Sequence, residues 1–177
     1  MKLSPEITPT RFRALMAGFP SGVAVLTATD PDDGRPWGLT CSSVCAVSLA
    51  PPTLLVCVRT GSPTLDAMLR RSAFAVNLLH DGARATAELF ASGAPHRFDQ
   101  VRWEYPVTGG GPHLVEDAHT VADCEVSGHQ VVGSHAVVFG EVTAVHHRSA
   151  PRPLLYGLRR YAAWPLPDVD TVSWVAP

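Results

Sequence analysis

The chain of 177 residues lacks the usual sequence devices for gripping a nucleotide phosphate. No GxGxxG follows an apolar run, and no Walker A sequence occurs. A nucleotide must therefore be held by something other than a Rossmann turn. No uninterrupted apolar stretch approaches the ~18 residues of a membrane helix. The opening MKLSPEITPTRF has no apolar core of a secretory signal, so a cytoplasmic protein is expected. Net charge is only −2 and no long run of either sign occurs, which argues against nucleic acid or an anionic membrane as the main partner. Cysteine is scarce: of the four, at 41, 45, 57 and 124, only the first two are close. No second close pair completes a four-ligand zinc site, and neither HxxxH nor HExxH appears among eight histidines. Reduced thiols and no metal are the expectation. Low-complexity segments and internal repeats are also missing.

What is present is a chain of many short strands. Sixteen Pro and fourteen Gly are scattered along it, which suits frequent turns, and the length favours one domain with a real core. We expect a single domain over 1–177, its core spanning about 10–162, with an irregular tail at 163–177. Phe12, Leu15, Met16 and Phe19 recur at helical spacing and predict a short amphipathic helix from Thr10 to Gly18. GVAVLTAT (22–29), Trp37 to Val44, TLLVCVR (53–59) and AFAVNLL (73–79) predict strands. Ser62-Pro63-Thr64 opens a second helix, and Asp81 is expected to cap a third whose inner face is Ala83, Thr86, Ala87 and Phe90. Residues 94–114 form a long polar excursion with three glycines at 109–111, and loops of that length tend to be functional. Strands return at 119–131 and 135–145, and PLLYGL follows Pro151. Strands outnumber helices, which favours an antiparallel barrel with peripheral helices over a βαβ array.

Four places carry candidate chemistry. Thr40, Ser42, Ser43 and Ser48 lie in or beside the strand leading to Leu49-Ala50-Pro51-Pro52. In an extended segment Thr40 and Ser42 share one face while Cys41 and Ser43 share the other. Hydroxyls and free backbone N–H groups there suit a phosphate or the polar edge of a ring, or simply water. The helix start at Ser62 and Thr64, with Arg59 nearby, suits an anion, or is an ordinary cap. Asn77 interrupts an apolar strand and must pair with a cofactor edge or a neighbouring backbone. His135, in Gly133-Ser134-His135, begins a strand beside a glycine and is well set to face a cleft.

The order of these pieces is more specific than any one of them. FRALMAGFPSGVAVLTA, GLTCSSVCAVSLAPPTLLVCV, SPTLDAM, FAVNLL, HRF at 96–98, GSHAVVFGEV and PLLYGLRRY follow one another from about Phe12 to Tyr161. The series resembles the short-chain flavin reductase family, the reductase components of two-component flavin-dependent monooxygenases. The resemblance implies an antiparallel, Greek-key FMN-binding split β-barrel that is mainly β with peripheral helices. It implies a homodimer with flavin sites near the subunit interface, FMN or FAD as cofactor, and NAD(P)H as co-substrate. Carried over by position, Thr40, Cys41, Ser42 and Ser43 contact the flavin, and Ser48 and Leu49 lie along its ring. Ser62 and Thr64 hold the phosphate, Asn77 lies by the ring system, and Arg97 closes over the phosphate side. His135 is the catalytic candidate at the nicotinamide position, with Tyr156, Arg159 and Tyr161 lining that side.

The sequence departs from the family pattern in places. Gly-Asp-His is common where Gly133-Ser134-His135 stands here, and a hydroxyl orients an imidazole more weakly than a carboxylate. Cys41 occupies a stretch that often reads Ala-Asn, and His113 a position where leucine is more usual. The implied activity is NAD(P)H:flavin oxidoreduction that supplies a partner monooxygenase. Two alternatives keep the barrel: a flavin-dependent oxidase or oxygenase acting directly on an organic substrate, and a non-enzymatic flavin or haem carrier.

Overall fold

The computed structural model describes residues 7–107, 109–149 and 152–165. Helix α1 (Pro9–Ala17) starts at Thr8, whose Oγ1 accepts from the Arg11 N–H at 3.3 Å. Then come β1 (Ser21–Gly22), β2 (Ala24–Thr29), β3 (Pro36–Cys41), β4 (Val44–Leu49) and β5 (Pro52–Arg59). Helix α2 (Pro63–Arg71), β6 (Ala73–Leu79) and α3 (Arg84–Ser92) follow. The excursion holds a turn of 3-10 helix (Arg97–Gln100), β7 (Trp103–Glu104) and β8 (His113–Leu114). The long strands β9 (Ala118–Val132) and β10 (His135–His147) precede a hairpin of β11 (Leu154–Gly157) and β12 (Arg160–Ala163).

Seven strands form one antiparallel sheet in the order β3-β2-β6-β9-β10-β5-β4. Its two outermost strands, β3 and β4, are consecutive in the chain and joined by only Ser42 and Ser43. The two ends of the sheet therefore meet, and it curls into a split barrel, as expected. Ser43 fastens the seam: its hydroxyl donates to the Cys57 carbonyl at 3.2 Å and accepts from the Cys57 N–H at 3.3 Å.

Strand β2 is buried at every position, because both of its faces are covered. Ala24, Leu26 and Ala28 point into the barrel with Val56, Val58, Phe74, Val76 and Val138, and α2 adds Leu65, Ala67 and Met68. Val25 points the other way, with Val23 before the strand, into an outer layer formed by α3, Phe98 and Leu114. The excursion can lie flat on that layer only because residue 111 is glycine. A Cβ there would stand 2.0 Å from the Thr27 carbonyl oxygen.

Several expectations are corrected. The single strand from Trp37 to Val44 is two elements, because β3 pairs with β2 while β4 pairs with β5. Asp81 does not cap α3, whose N-terminal flank is Ala83. The Asp81 carboxylate is instead held by Arg152 at 2.8 Å. Residues 154–163, where only the apolar piece PLLYGL was noted, form the β11–β12 hairpin. The expectation for 166–177 lies outside the described residues. Among the described residues, no helix is long and apolar enough to cross a membrane.

Candidate functional site

A cavity of about 630 Å³ opens where three parts of the chain converge. The β3–β4 junction supplies Ser42, Ser43, Val44 and Cys45, with Leu55 of β5 behind them. Helix α1 and the residues after it supply Arg13, Met16 and Phe19, and the β11–β12 hairpin supplies Tyr156 and Arg159. The hairpin is tied to α1 by the Leu158 N–H, which donates to the Ala17 carbonyl at 2.7 Å. Of the residues expected to bind cofactor, the structure thus gathers Ser42, Ser43, Tyr156 and Arg159 around one space.

The chemistry of this lining fits a flavin. The volume lies in the ordinary range for small-molecule sites, and the walls are mostly apolar with a few polar groups, as a planar ring with one polar edge requires. Strand β4 is a sheet edge, so its alternate N–H and C=O groups are not used by β5. Arg13 and Arg159 place two cations at the rim.

His135 stands outside this cavity, at the far end of the same wall. It is exposed and pairs in register with Arg59, four residues along β5 from Leu55, or about 13 Å at 3.3 Å per residue. Its Nδ1 lies 3.0 Å from Ser134 Oγ. The Thr60 N–H and hydroxyl both donate to the Ser134 carbonyl, at 3.0 and 3.1 Å. His135, Arg59 and the start of α2 at Ser62 are therefore neighbours. Ser62 occupies the N-cap position, but its side chain makes no capping bond.

Other expected residues point elsewhere. Thr40 donates to the Ala87 carbonyl at 2.6 Å and ties β3 to α3. Cys41 is buried beside Ser43, and burial pushes its thiol pKa up. Thr64 is buried under α2. Ser48 accepts from the Ala50 N–H, and Leu49 is 95% exposed at the turn. Arg97 lies in a second hollow with Arg35 and Trp37, its guanidinium 5.8 Å from the Phe90 ring, and burial lowers its pKa. The Tyr161 ring packs at a tilt against Tyr156, 5.1 Å between centroids, one step behind the cavity wall.

Asn77 answers the question its position raised: it is fully buried and fully used by protein. Its amide donates towards the Val25 carbonyl, Thr27 Oγ1 and the Pro112 carbonyl, at 3.0 to 3.3 Å. Its Oδ1 accepts from the Leu114 N–H at 2.8 Å. The structure assigns it to pinning the excursion on β2 and β6, not to the cavity. Sequence reasoning missed Arg13, Met16, Phe19, Cys45 and Leu55. The α1 stripe reads as the apolar face of an amphipathic helix from its spacing, and nothing in periodicity says that it borders a cavity.

The sequence matches the flavin reductase like domain family over residues 16–165. It is 49% identical over 159 residues to a flavin reductase (NADPH) of Lentzea aerocolonigenes, covering 90% of this chain and 92% of the relative. Among solved structures it is similar to a Streptomyces globisporus NADH:FAD oxidoreductase in complex with NAD and FAD fragments. That match has a TM-score of 0.83 and 28% identity, over 94% of this chain and all of the other. The styrene monooxygenase flavin reductase of Pseudomonas putida S12 superposes with a TM-score of 0.77 and 31% identity, over 88% of this chain and 98% of that one. A fold, a cavity and a sequence match that coincide along most of the chain lead to one assignment: this protein belongs to the flavin reductase like domain family.

Proposed function

We propose that this chain is an NAD(P)H:flavin oxidoreductase, using FMN or FAD, that supplies reduced flavin to a separate flavin-dependent monooxygenase. The observation that carries the reading is the shared cavity, bordered by both the Ser42–Cys45 junction and the Tyr156–Arg159 turn. A bound flavin supplies the hydride-accepting chemistry. The protein's part is to bind and orient. Val44, Leu55, Met16 and Phe19 exclude water from a ring-sized space, which strengthens every polar contact inside it. Ser42 and the free N–H groups of the β4 edge aim donors at the polar edge of the ring, where negative charge is best stabilised. Arg59 and the α2 start attract phosphate. His135, its Nδ1 held by Ser134, keeps Nε2 for the nicotinamide side. Tyr156 and Arg159 line the cavity itself.

The relatives support this reading. One carries NADPH in its name, another is an NADH:FAD oxidoreductase, and a third is the flavin reductase of a monooxygenase. We also propose a homodimer. The apolar residues Phe12, Leu15 and Phe19 of the α1 region are 54–70% exposed, and Leu49 in the β4–β5 turn is almost bare. A second copy covering them completes the site with residues that one chain leaves outside the cavity.

The test is stopped-flow mixing of the protein with FMN or FAD and with NADH or NADPH. Oxidation of at least one nicotinamide is expected. His135→Ala is expected to raise KM for the nicotinamide about tenfold or more, with flavin affinity changed less than threefold. A protein that binds flavin yet oxidises neither nicotinamide overturns the proposal. One observation favours direct action on an organic substrate instead, namely Ser134 where an acid is usual. Turnover of such a substrate without a second protein would establish that reading.

A further inference from the structure

Three side chains from three separate strands converge on the side of the barrel under the excursion. His113 comes from β8, Asp123 from β9 and His146 from β10. His113 Nε2 lies 2.9 Å from Asp123 Oδ1, and His146 Nε2 lies 2.9 Å from Asp123 Oδ2. The two rings are 4.9 Å apart, and one ligand atom from each residue falls within 4.8 Å of the others. The His113 and Asp123 side chains are 2% and 1% exposed, whereas His146 is 37% exposed and faces solvent.

From this juxtaposition of His113, Asp123 and His146 we infer a site for a borderline divalent cation such as Zn²⁺, with solvent completing the coordination beside His146. Two imidazoles and one carboxylate are the donor set such ions take, with three protein ligands and one open position. Ligands ~2.1 Å from a tetrahedral ion lie about 3.4 Å apart, so the most distant pair of ligand atoms closes by at most about 1.4 Å on binding. Coordination needs both Nε2 lone pairs, so each ring carries its proton on Nδ1. Arg148 Nη2, a donor, lies 3.4 Å from His113 Nδ1 and pairs with Glu104 of the neighbouring strand β7. Coordination through Nε2 therefore requires Arg148 to swing off Nδ1 so that this nitrogen can carry the proton, and Glu104 is the carboxylate that holds Arg148. Its own pKa is held below the usual carboxylate range by Arg148 first, and then by the two histidines. The Arg148 cation opposes the ion, which makes this a site of moderate affinity. Spacings of ten and 23 residues match no short motif, so an expectation of no metal was natural from sequence. The antiparallel pairing of β9 with β10 closes the longer gap. An ion here clamps β8, and with it the excursion, to the sheet.

The test uses the tag-free, chelator-treated full chain with Zn²⁺ in calorimetry and Co²⁺ in visible spectroscopy. One ion per chain is expected with Kd below about 10 μM, raising Tm by several degrees at ~1 mM Zn²⁺. His146→Gln, at a partly exposed position, is expected to keep its circular dichroism and lose at least about tenfold in affinity. His147→Gln is expected to bind as the parent does. No uptake by the parent at ~100 μM, unchanged binding by His146→Gln, or a thiolate-to-cobalt charge-transfer band overturns the site. None of these readouts depends on flavin or nicotinamide.

Discussion

At the scale of single residues, a buried polar group is informative only once its partners are known. Asn77 is where two sequence readings were equally available and the structure separates them. Asn77→Leu strands the Leu114 N–H and takes one donor from the carbonyls of Val25 and Pro112, and we expect a loss of about 2–4 kcal/mol in urea unfolding. Flavin affinity of the folded protein should change less than twofold, measured by fluorescence quenching. Nothing in AFAVNLL could have told this, because the partners lie 35 to 52 residues away. Thiols behave in the same way. Burial, with Asp123 beside it, raises the Cys124 pKa from the ordinary 9.0 to about 12. The folded state holds that proton more tightly than the unfolded chain does. The associated stability is fully present below pH 9 and is lost as pH rises towards 12. Cys124→Ala should therefore flatten the fall of Tm across that alkaline window, as differential scanning calorimetry would read it.

At the scale of elements, the strands were legible because buried runs such as AVLTAT and AFAVNLL are dense in apolar and β-branched residues. The β11–β12 hairpin was not, because its turn is made by Leu158 and Arg159, neither a turn-forming residue. Both sit at positive φ, 50° and 60°, in a two-residue connection that ordinarily calls for Asn-Gly. The strain is stored beside the cavity, where Arg159 lines the wall. Leu158→Asn relieves part of it at an exposed site, and we expect a gain of about 0.5–1 kcal/mol in denaturant midpoint analysis. Similarly, the α1 stripe was correctly read as an amphipathic helix, but burial could not be assigned. Spacing gives a face and does not say what covers it.

At the scale of the whole molecule, that bare α1 face predicts association. Size-exclusion chromatography with light scattering should give a dimer near twice 18.9 kDa. Leu15→Glu, at a position 69% exposed in the single chain, should shift it towards monomer and lower flavin affinity several-fold. The seam at Ser42–Ser43 has a consequence for the cell rather than for catalysis. An open seven-stranded sheet offers two rows of unpaired peptide groups to any passing strand. Here the chain turns those rows towards each other at Ser43, begins one outer strand with Pro36, and follows the other with Pro51 and Pro52. Proline has no N–H to offer an incoming strand. A protein that must leave its active-site edge open enough to exchange a cofactor thereby avoids becoming a template for aggregation.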